Sequence, residues 1–187
     1  MKMKKSILLI CIFSLMLFSC DKIKEAITVP VNTTLKIDVP ISVAVTKSVN
    51  LNDKAGTVYP FSTDKVLDLT SNTDIASYIN QLKSADISKV TVTFLNLMGT
   101  QEISTLDVSV AGVSGPVFSL TGITATVNNP ITPVITPAIQ AQLDLVEAKL
   151  IADKKITITV KGTTNAAPLT LIAKLAFDTK FTYQPLN

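Results

Sequence analysis

The strongest constraint on the fold is a strict alternation of apolar and polar residues over positions 35–45. Aliphatic side chains occupy every second position of that segment, namely Leu35, Ile37, Val39, Ile41, Val43 and Val45. Successive side chains of a β-strand point to opposite faces, so this period of two predicts a strand with one buried face. Pro40 lies within the segment and cannot donate a backbone hydrogen bond. We therefore expect a strand that lies at a sheet edge or bends at Pro40.

Other segments rich in Val, Ile and Thr follow along the chain, and these residue types favour strands. They predict strands over residues 66–69, 89–97, 103–110, 116–127, 155–161 and 169–183. Glycines such as Gly99 and Gly112 fall at the joins, where turns need them. About seven to nine short strands separated by turn residues are typical of an antiparallel β-sandwich, which is the predicted fold.

Two segments with helical spacing interrupt the strands. Ser71 is a candidate N-cap for the first, and Thr136 precedes Pro137 at the start of the second. The apolar stripes comprise Ile75, Ile79 and Leu82 in the first segment and Ile139, Leu143, Val146 and Leu150 in the second. The spacing predicts two short helices that pack on the sheets. The Pro-rich residues 128–137 predict a stiff, extended connection before the second helix.

The N-terminal segment has the pattern of an export signal. Lys2, Lys4 and Lys5 precede an apolar stretch over residues 7–18. That stretch is shorter than the roughly 20 residues that a membrane-spanning helix needs. It therefore predicts a removable signal peptide rather than a membrane span.

The residues at the end of this stretch, Leu17-Phe18-Ser19-Cys20, resemble the lipobox of bacterial lipoproteins. The resemblance implies that Cys20 receives a diacylglycerol thioether, that the chain is cut before it and that the new amine is acylated. Several acyl chains on one residue anchor a protein stably. The predicted organisation is a signal peptide over residues 1–19, a lipidated tether over 20–26 and a single β-sandwich domain over 27–187.

The residues after Cys20 bear on which membrane carries the protein. Asp21 resembles an inner-membrane retention signal of enteric-type lipoproteins, whereas Lys22 followed by Glu25 partly resembles a surface-export signal. We expect the outer membrane of the cell envelope, in a periplasmic or surface-exposed position, and keep the inner membrane as the alternative.

Composition narrows the chemistry of the mature chain. The sequence has 17 lysines, no arginine and 14 acidic residues, a formal charge of +3 that is lost with the three lysines of the signal. Because nucleic-acid binding needs clustered cations, no nucleic-acid partner is expected. Histidine is absent, Cys11 leaves with the signal and Cys20 is assigned to lipid. Histidine-based triads, histidine zinc sites and reactive thiols are therefore excluded.

One pair of residues has the spacing of a known nucleophile motif. Ser62 and Lys65 form a Ser-x-x-Lys sequence, which is similar to that of penicillin-interacting serine enzymes. The Lys-Thr-Gly element of those enzymes is missing, and we interpret residues 62–65 as a solvated turn.

The oxygen-bearing side chains give two further candidates. Asp64, Asp68 and Asp74 come nearest to the carboxylate group that a glycoside hydrolase would need. Asn50, Asn52 and Asp53 offer oxygen ligands for calcium, but without the carboxylate density of an EF-hand. We interpret the second group as turn residues and predict neither a metal nor a cofactor.

The function predicted from the sequence is that of a non-enzymatic binding or assembly module, anchored to the bacterial envelope through Cys20. Its expected partners are the membrane and either an envelope protein or a glycan. Tyr59 and Phe61, beside the polar turn over residues 50–56, are the candidate surface contact. A carbohydrate-binding accessory lipoprotein is the alternative, and a histidine-free hydrolase is a third hypothesis.

Overall fold

A computed structural model describes residues 28–44, 58–125 and 130–185 as a two-layer β-sandwich. Its antiparallel strands are β1 Val29–Val43, β2 Tyr59–Asp68, β3 Leu82–Leu95, β4 Glu102–Val110, β5 Pro116–Thr124, β6 Lys155–Thr164 and β7 Leu169–Tyr183. One sheet has the order β1-β7-β3 and the other the order β2-β6-β4-β5. The seven strands of the described residues confirm the predicted β-sandwich.

The strand β1 confirms the alternation that predicted it. Leu35, Ile37, Val39 and Ile41 are buried, whereas Lys36, Asp38 and Pro40 between them are exposed. The strand pairs with β7 from Val29–Tyr183 to Val43–Leu169 without a register shift. It lies at the edge of its sheet, where the backbone nitrogen of Pro40 is not needed by a second neighbour.

The α-helix α1, Pro137–Asp153, packs next to β3, the edge strand of the three-stranded sheet. The Thr136 hydroxyl accepts a hydrogen bond from the Ile139 N–H, as the N-cap prediction requires. Leu143, Val146 and Leu150 are buried, and with residues of β3 and β5 they line one apolar space. The helix contacts strands of both sheets and so takes the position of a fourth strand beside β3 and over β5.

A polar contact holds α1 to the edge of β3. The Glu147 carboxylate accepts a hydrogen bond of 2.7 Å from the Ile87 N–H. Ile87 lies beside a register shift in the pairing of β3 with β7 and is only 1% exposed. The contact satisfies a backbone donor that the irregular strand edge would otherwise bury without a partner.

The segment before α1 also pairs with β3. Ile131 and Val92 exchange two backbone hydrogen bonds of 2.8 Å each. Residues 128 and 129, the first two of the predicted stiff connection, lie outside the described residues, as do residues 126 and 127 at the end of the predicted strand 116–127. The described part of the connection therefore covers the outer edge of β3 before the helix begins.

The first predicted helix is replaced by two shorter 3-10 helices. Its segment forms two short 3-10 turns, Leu69–Ser71 and Ala76–Gln81, and the last residue of its predicted stripe, Leu82, begins β3. Ser71, the candidate N-cap, instead ends the first 3-10 helix, and its hydroxyl donates to the Asp68 carbonyl oxygen at 2.7 Å. The apolar residues Ile75 and Leu82 are buried nonetheless, because the turns close one end of the sandwich.

Candidate functional site

The candidate functional site is a polar groove where β2 runs into the turn over residues 69–74. We define the polar groove by six of its lining residues, namely Thr34, Lys36, Asp68, Ser71, Asn72 and Asp74. Its volume is about 300 Å³, and the apolar side chains of Leu35 and Leu67 form part of its wall. Strand β1 supplies one wall, and the turn after β2 supplies the other.

The turn that forms this wall is held by its own side chains. Asn72 Nδ2 donates to Thr33 Oγ1 at 3.2 Å, and the Thr33 hydroxyl donates to Asp74 Oδ2. The Asp74 N–H in turn donates a hydrogen bond to Asn72 Oδ1 at 2.9 Å. Thr33 is only 9% exposed, so the network fixes the turn to β1. The groove is therefore formed by rigid elements, which suits binding without a large rearrangement.

Asp68 is one of three charged residues that line the polar groove, with Lys36 and Asp74. Hydrogen bonds from the hydroxyl and the backbone N–H of Thr70 lower the pKa of this carboxyl, against the opposing effect of desolvation. The side chain stays ionised at neutral pH and accepts hydrogen bonds. With Lys36 on the opposite wall, the groove offers both acceptors and a donor to a polar ligand.

Two of the three aspartates that the sequence singled out as a carboxylate cluster come together in the structure. Asp68 and Asp74 both line the polar groove. Asp64 does not belong to it, because its neighbour across the sheet is Thr159 of β6. Both groove carboxylates already accept hydrogen bonds from threonines that hold the turn. These two carboxylates therefore act as hydrogen-bond acceptors that stabilise the wall of the groove.

The Ser62–Lys65 motif lies inside β2, so its interpretation as a turn is wrong. Residues three apart in a strand point to opposite faces of the sheet. Ser62 lies opposite Lys161, whereas Lys65 lies opposite the fully buried Ile158. The strand therefore separates the two side chains, and the Ser-Lys pair of a serine enzyme is not formed here.

The candidate surface contact at Tyr59 and Phe61 needs a correction. Phe61 is only 7% exposed and pairs with Gly162 of β6, so the exposed role predicted for it is wrong. The alternation of β2 turns Phe61 toward the core, where its ring covers the glycine. Tyr59 is half-buried against the core, and its neighbour Val58 is 53% exposed. The prediction missed this because it placed the start of β2 seven residues too late, at Val66 instead of Tyr59.

Several predicted residues lie outside the described residues. They are Cys20, which carries the predicted lipid, and the predicted turn residues Asn50, Asn52 and Asp53. In the part of the chain that the structure describes, no three or more Asp, Glu, Cys or His side chains come together in a group that could hold a metal ion.

The sequence did not identify the β1 wall of the polar groove. Thr33 and Asp74 are 41 positions apart, and no local pattern marks that contact. The run Asn72-Thr73-Asp74 is typical of a turn, and that composition was the available signal.

No helix among the described residues is long and apolar enough to cross a membrane.

Comparisons with known proteins find similarity of shape only. No protein family model matches the sequence. No curated protein matches it either. Two solved viral structures are similar in shape. Desmodium yellow mottle tymovirus gives 10% identity and a TM-score of 0.35, over 85% of this chain and 91% of that one. Mud crab tombus-like virus gives 12% identity and a TM-score of 0.35, over 86% and 81%. A similarity at this level assigns no function.

Proposed function

We propose that this protein is a lipid-anchored envelope protein of bacteria that acts as a non-enzymatic binding or assembly module. The observation that carries the proposal is Leu17-Phe18-Ser19-Cys20 at the end of an apolar stretch that follows three lysines. The first described strand begins at Val29, nine positions after Cys20. Such a tether keeps a folded domain close to the bilayer, since nine residues span at most about 30 Å.

Binding rather than catalysis is favoured by how the acidic residues are used. Asp68 has a lowered pKa because of its bonds to Thr70, so it is a poor proton donor at neutral pH. Burial raises the pKa of Glu147. This carboxylate, however, accepts a hydrogen bond from the Ile87 N–H and so links α1 to β3. Glu147 is not among the residues that line the polar groove. Asp68 and Asp74, the two carboxylates of the groove, both accept hydrogen bonds from threonines, and this structural use favours binding over hydrolysis.

The anchor is tested with matched cysteine variants. Cys20→Ala should abolish incorporation of labelled fatty acid and release the protein from membranes. Cys11→Ala is the control, because Cys11 lies inside the predicted signal and should leave labelling unchanged. Membrane attachment of Cys20→Ala at the level of the natural protein would contradict the lipid anchor. Density fractionation of the labelled protein then tests the outer membrane against the inner membrane.

The binding role is tested by affinity capture from solubilised membranes. A defined partner should be recovered with the natural protein, and Lys36→Ala should reduce that recovery because Lys36 lines the polar groove. Lys161→Ala is the control, since Lys161 is exposed on β6 and lies outside the groove. Recovery of this protein alone under all conditions counts against a binding module.

A carbohydrate-binding role is the second candidate, and the chemistry of the polar groove favours it. Sugar hydroxyls both donate and accept hydrogen bonds, and the groove provides carboxylates, an amide, hydroxyls and an ammonium group. A glycan array with the purified protein should then give hits that Lys36→Ala weakens. An array without hits contradicts this role and leaves the anchor untouched.

A further inference from the structure

The outer edge of β1 borders the polar groove with its backbone. Three consecutive residues of this strand, 34–36, line the groove. Successive side chains of a strand point to opposite faces of the sheet, so a groove that touches three residues in a row lies along the strand edge. Strand β1 therefore brings backbone groups to the polar groove as well as side chains.

The pairing of the neighbouring strands fixes which backbone groups of β1 point to this edge. In an antiparallel ladder, residues that bond one side alternate with residues that bond the other. Val92 of β3 exchanges two hydrogen bonds with Ile131, so its N–H and C=O point away from β7. Its partner in β7, Leu175, therefore bonds on its other side to Ile37 of β1. Because the ladder of β1 and β7 has no register shift, every odd-numbered residue of β1 bonds β7 and every even-numbered residue points outward.

The prolines of β1 agree with this assignment and limit the length of the edge. Pro30 and Pro40 are both even-numbered, so the N–H that each lacks is not one that would bond β7. Between the two prolines, the outward N–H groups are those of residues 32, 34, 36 and 38. No strand among the described residues pairs with this edge. The edge between Pro30 and Pro40 therefore suits a short added strand.

We propose that an extended segment of a partner protein adds to β1 at the polar groove as a further strand. Its backbone bonds the outward N–H and C=O groups of Thr34 and Lys36. These groups recur every second residue, about 6.8 Å apart, and a peptide strand presents its own donors and acceptors at the same period. The partner is the envelope protein that a binding module would recognise, so the inference rests on the function proposed above.

The polar groove admits the segment and sets its chemistry. Strand β2 of the other sheet lies near β1 but does not pair with it, and the groove separates the two where β2 ends at Asp68. The volume of about 300 Å³ provides room for a side chain of the added segment. Asp68 and Asp74 contribute carboxylates to the lining, and Lys36 contributes an ammonium group. A side chain that donates hydrogen bonds, such as lysine or serine, therefore suits the groove better than an acidic one.

Peptide selection followed by backbone methylation tests the strand addition. A displayed library of random short peptides is selected on the purified full-length protein, and the Kd of the strongest binder is measured. Methylation of its backbone nitrogens, one at a time, should weaken binding about tenfold at every second residue and little at the residues between, because a strand bonds one neighbour through alternate residues. A library without an enriched peptide, or equal losses at all positions, overturns the proposal.

Matched proline variants locate the bonds on β1. Lys36→Pro removes an outward N–H at the groove and should weaken the selected peptide about tenfold, whereas Lys36→Ala keeps that N–H and should weaken it less. Ser42→Pro is the control, because Ser42 is even-numbered and exposed but lies beyond Pro40 and outside the groove. Equal Kd values for Lys36→Pro and Ser42→Pro overturn the proposal. If thermal unfolding shows that Lys36→Pro does not fold, the methylation series decides the outcome.

Affinity capture from solubilised membranes separates this inference from the proposed function. A partner protein whose recovery falls with Lys36→Pro but not with Ser42→Pro supports the strand addition. A partner recovered equally with both variants leaves the binding module standing and overturns the strand addition. Recovery of a second copy of this protein in place of a different partner overturns it as well. Peptide binding by the purified protein does not depend on whether Cys20 carries lipid.

Discussion

The substitution Gly162→Ala gives the sharpest test of the packing in the four-stranded sheet. Gly162 lies in β6 between Phe61 of β2 and Leu106 of β4. A methyl group at this position would overlap the carbonyl oxygen of Thr105 and lie 2.9 Å from Phe61 Cζ. The Phe61 ring can shift, but the Thr105 carbonyl belongs to the backbone of β4 and cannot move alone.

The expected cost follows from that geometry. Overpacking of a well-packed core costs about 1–3 kcal/mol, and a clash with backbone lies at the upper end of the range. Alanine also restricts the unfolded chain relative to glycine, which offsets about 0.4–1 kcal/mol. A net loss of about 2 kcal/mol should lower the melting temperature by about 4–8 °C for a domain of this size.

Thermal unfolding followed by circular dichroism measures this loss. Lys161→Ala is the control, because Lys161 neighbours Gly162 but is exposed and lies 4.0 Å from Asp107 in a surface ion pair. Such pairs contribute about 0–1 kcal/mol, so the control should melt close to the natural protein. Adding Phe61→Leu to Gly162→Ala should not restore stability, since the contact with Thr105 remains. A Gly162→Ala protein that melts like the Lys161→Ala control would refute the reasoning.

Four further predictions concern α1. Glu147→Ala leaves the buried Ile87 N–H without its acceptor and should cost about 1–3 kcal/mol, whereas Glu147→Gln keeps an acceptor and should cost less. Because burial raises the pKa of Glu147 above its ordinary value of 4.5, the natural protein should gain stability relative to Glu147→Gln as the pH falls from neutral towards 4.5, and denaturant unfolding at both ends of that range checks the sign. Thr136→Ala removes the N-cap and should cost about 1 kcal/mol in the same assay, and an unchanged midpoint would contradict the cap. Gln142 Oε1 is buried without a hydrogen-bond partner among the described residues, so Gln142→Met should raise the melting temperature, and a lower value would contradict that assignment.

Regular patterns in the sequence predicted most of the strands. The alternation over residues 35–45 identified β1 and, through Pro40, its place at an edge. Thr136 and Pro137 located the start of α1 to the residue, because cap chemistry is local. Features of this kind depend on neighbours within one turn or one strand, and so they can be read from a sequence.

Contacts between distant segments could not be predicted in this way. The stripe of Ile75, Ile79 and Leu82 has helical spacing, yet Leu82 pairs with Tyr183 of β7 in a sheet. Pairing across 101 positions outweighs the weak helix propensity of so short a segment. The polar groove also depends on a contact between distant segments, since its walls come from β1 and from the turn after β2. Asp68 and Asp74 were recognised as neighbours in sequence, but the contact of the turn with Thr33 was not.

The position of α1 beside β3 has a consequence for how large an assembly of this protein can become. A sheet that grows without limit needs two open edges on every copy, one for each neighbour. With a helix in the fourth position, its sheet offers no strand for growth on that side, and Pro30 and Pro40 hinder growth on the other. In the other sheet, the register shift of β5 against β4 and the positive φ of Gly122 interrupt the outer edge of β5. The edges of the described sheets therefore do not favour the strand-by-strand addition of copies into a fibre.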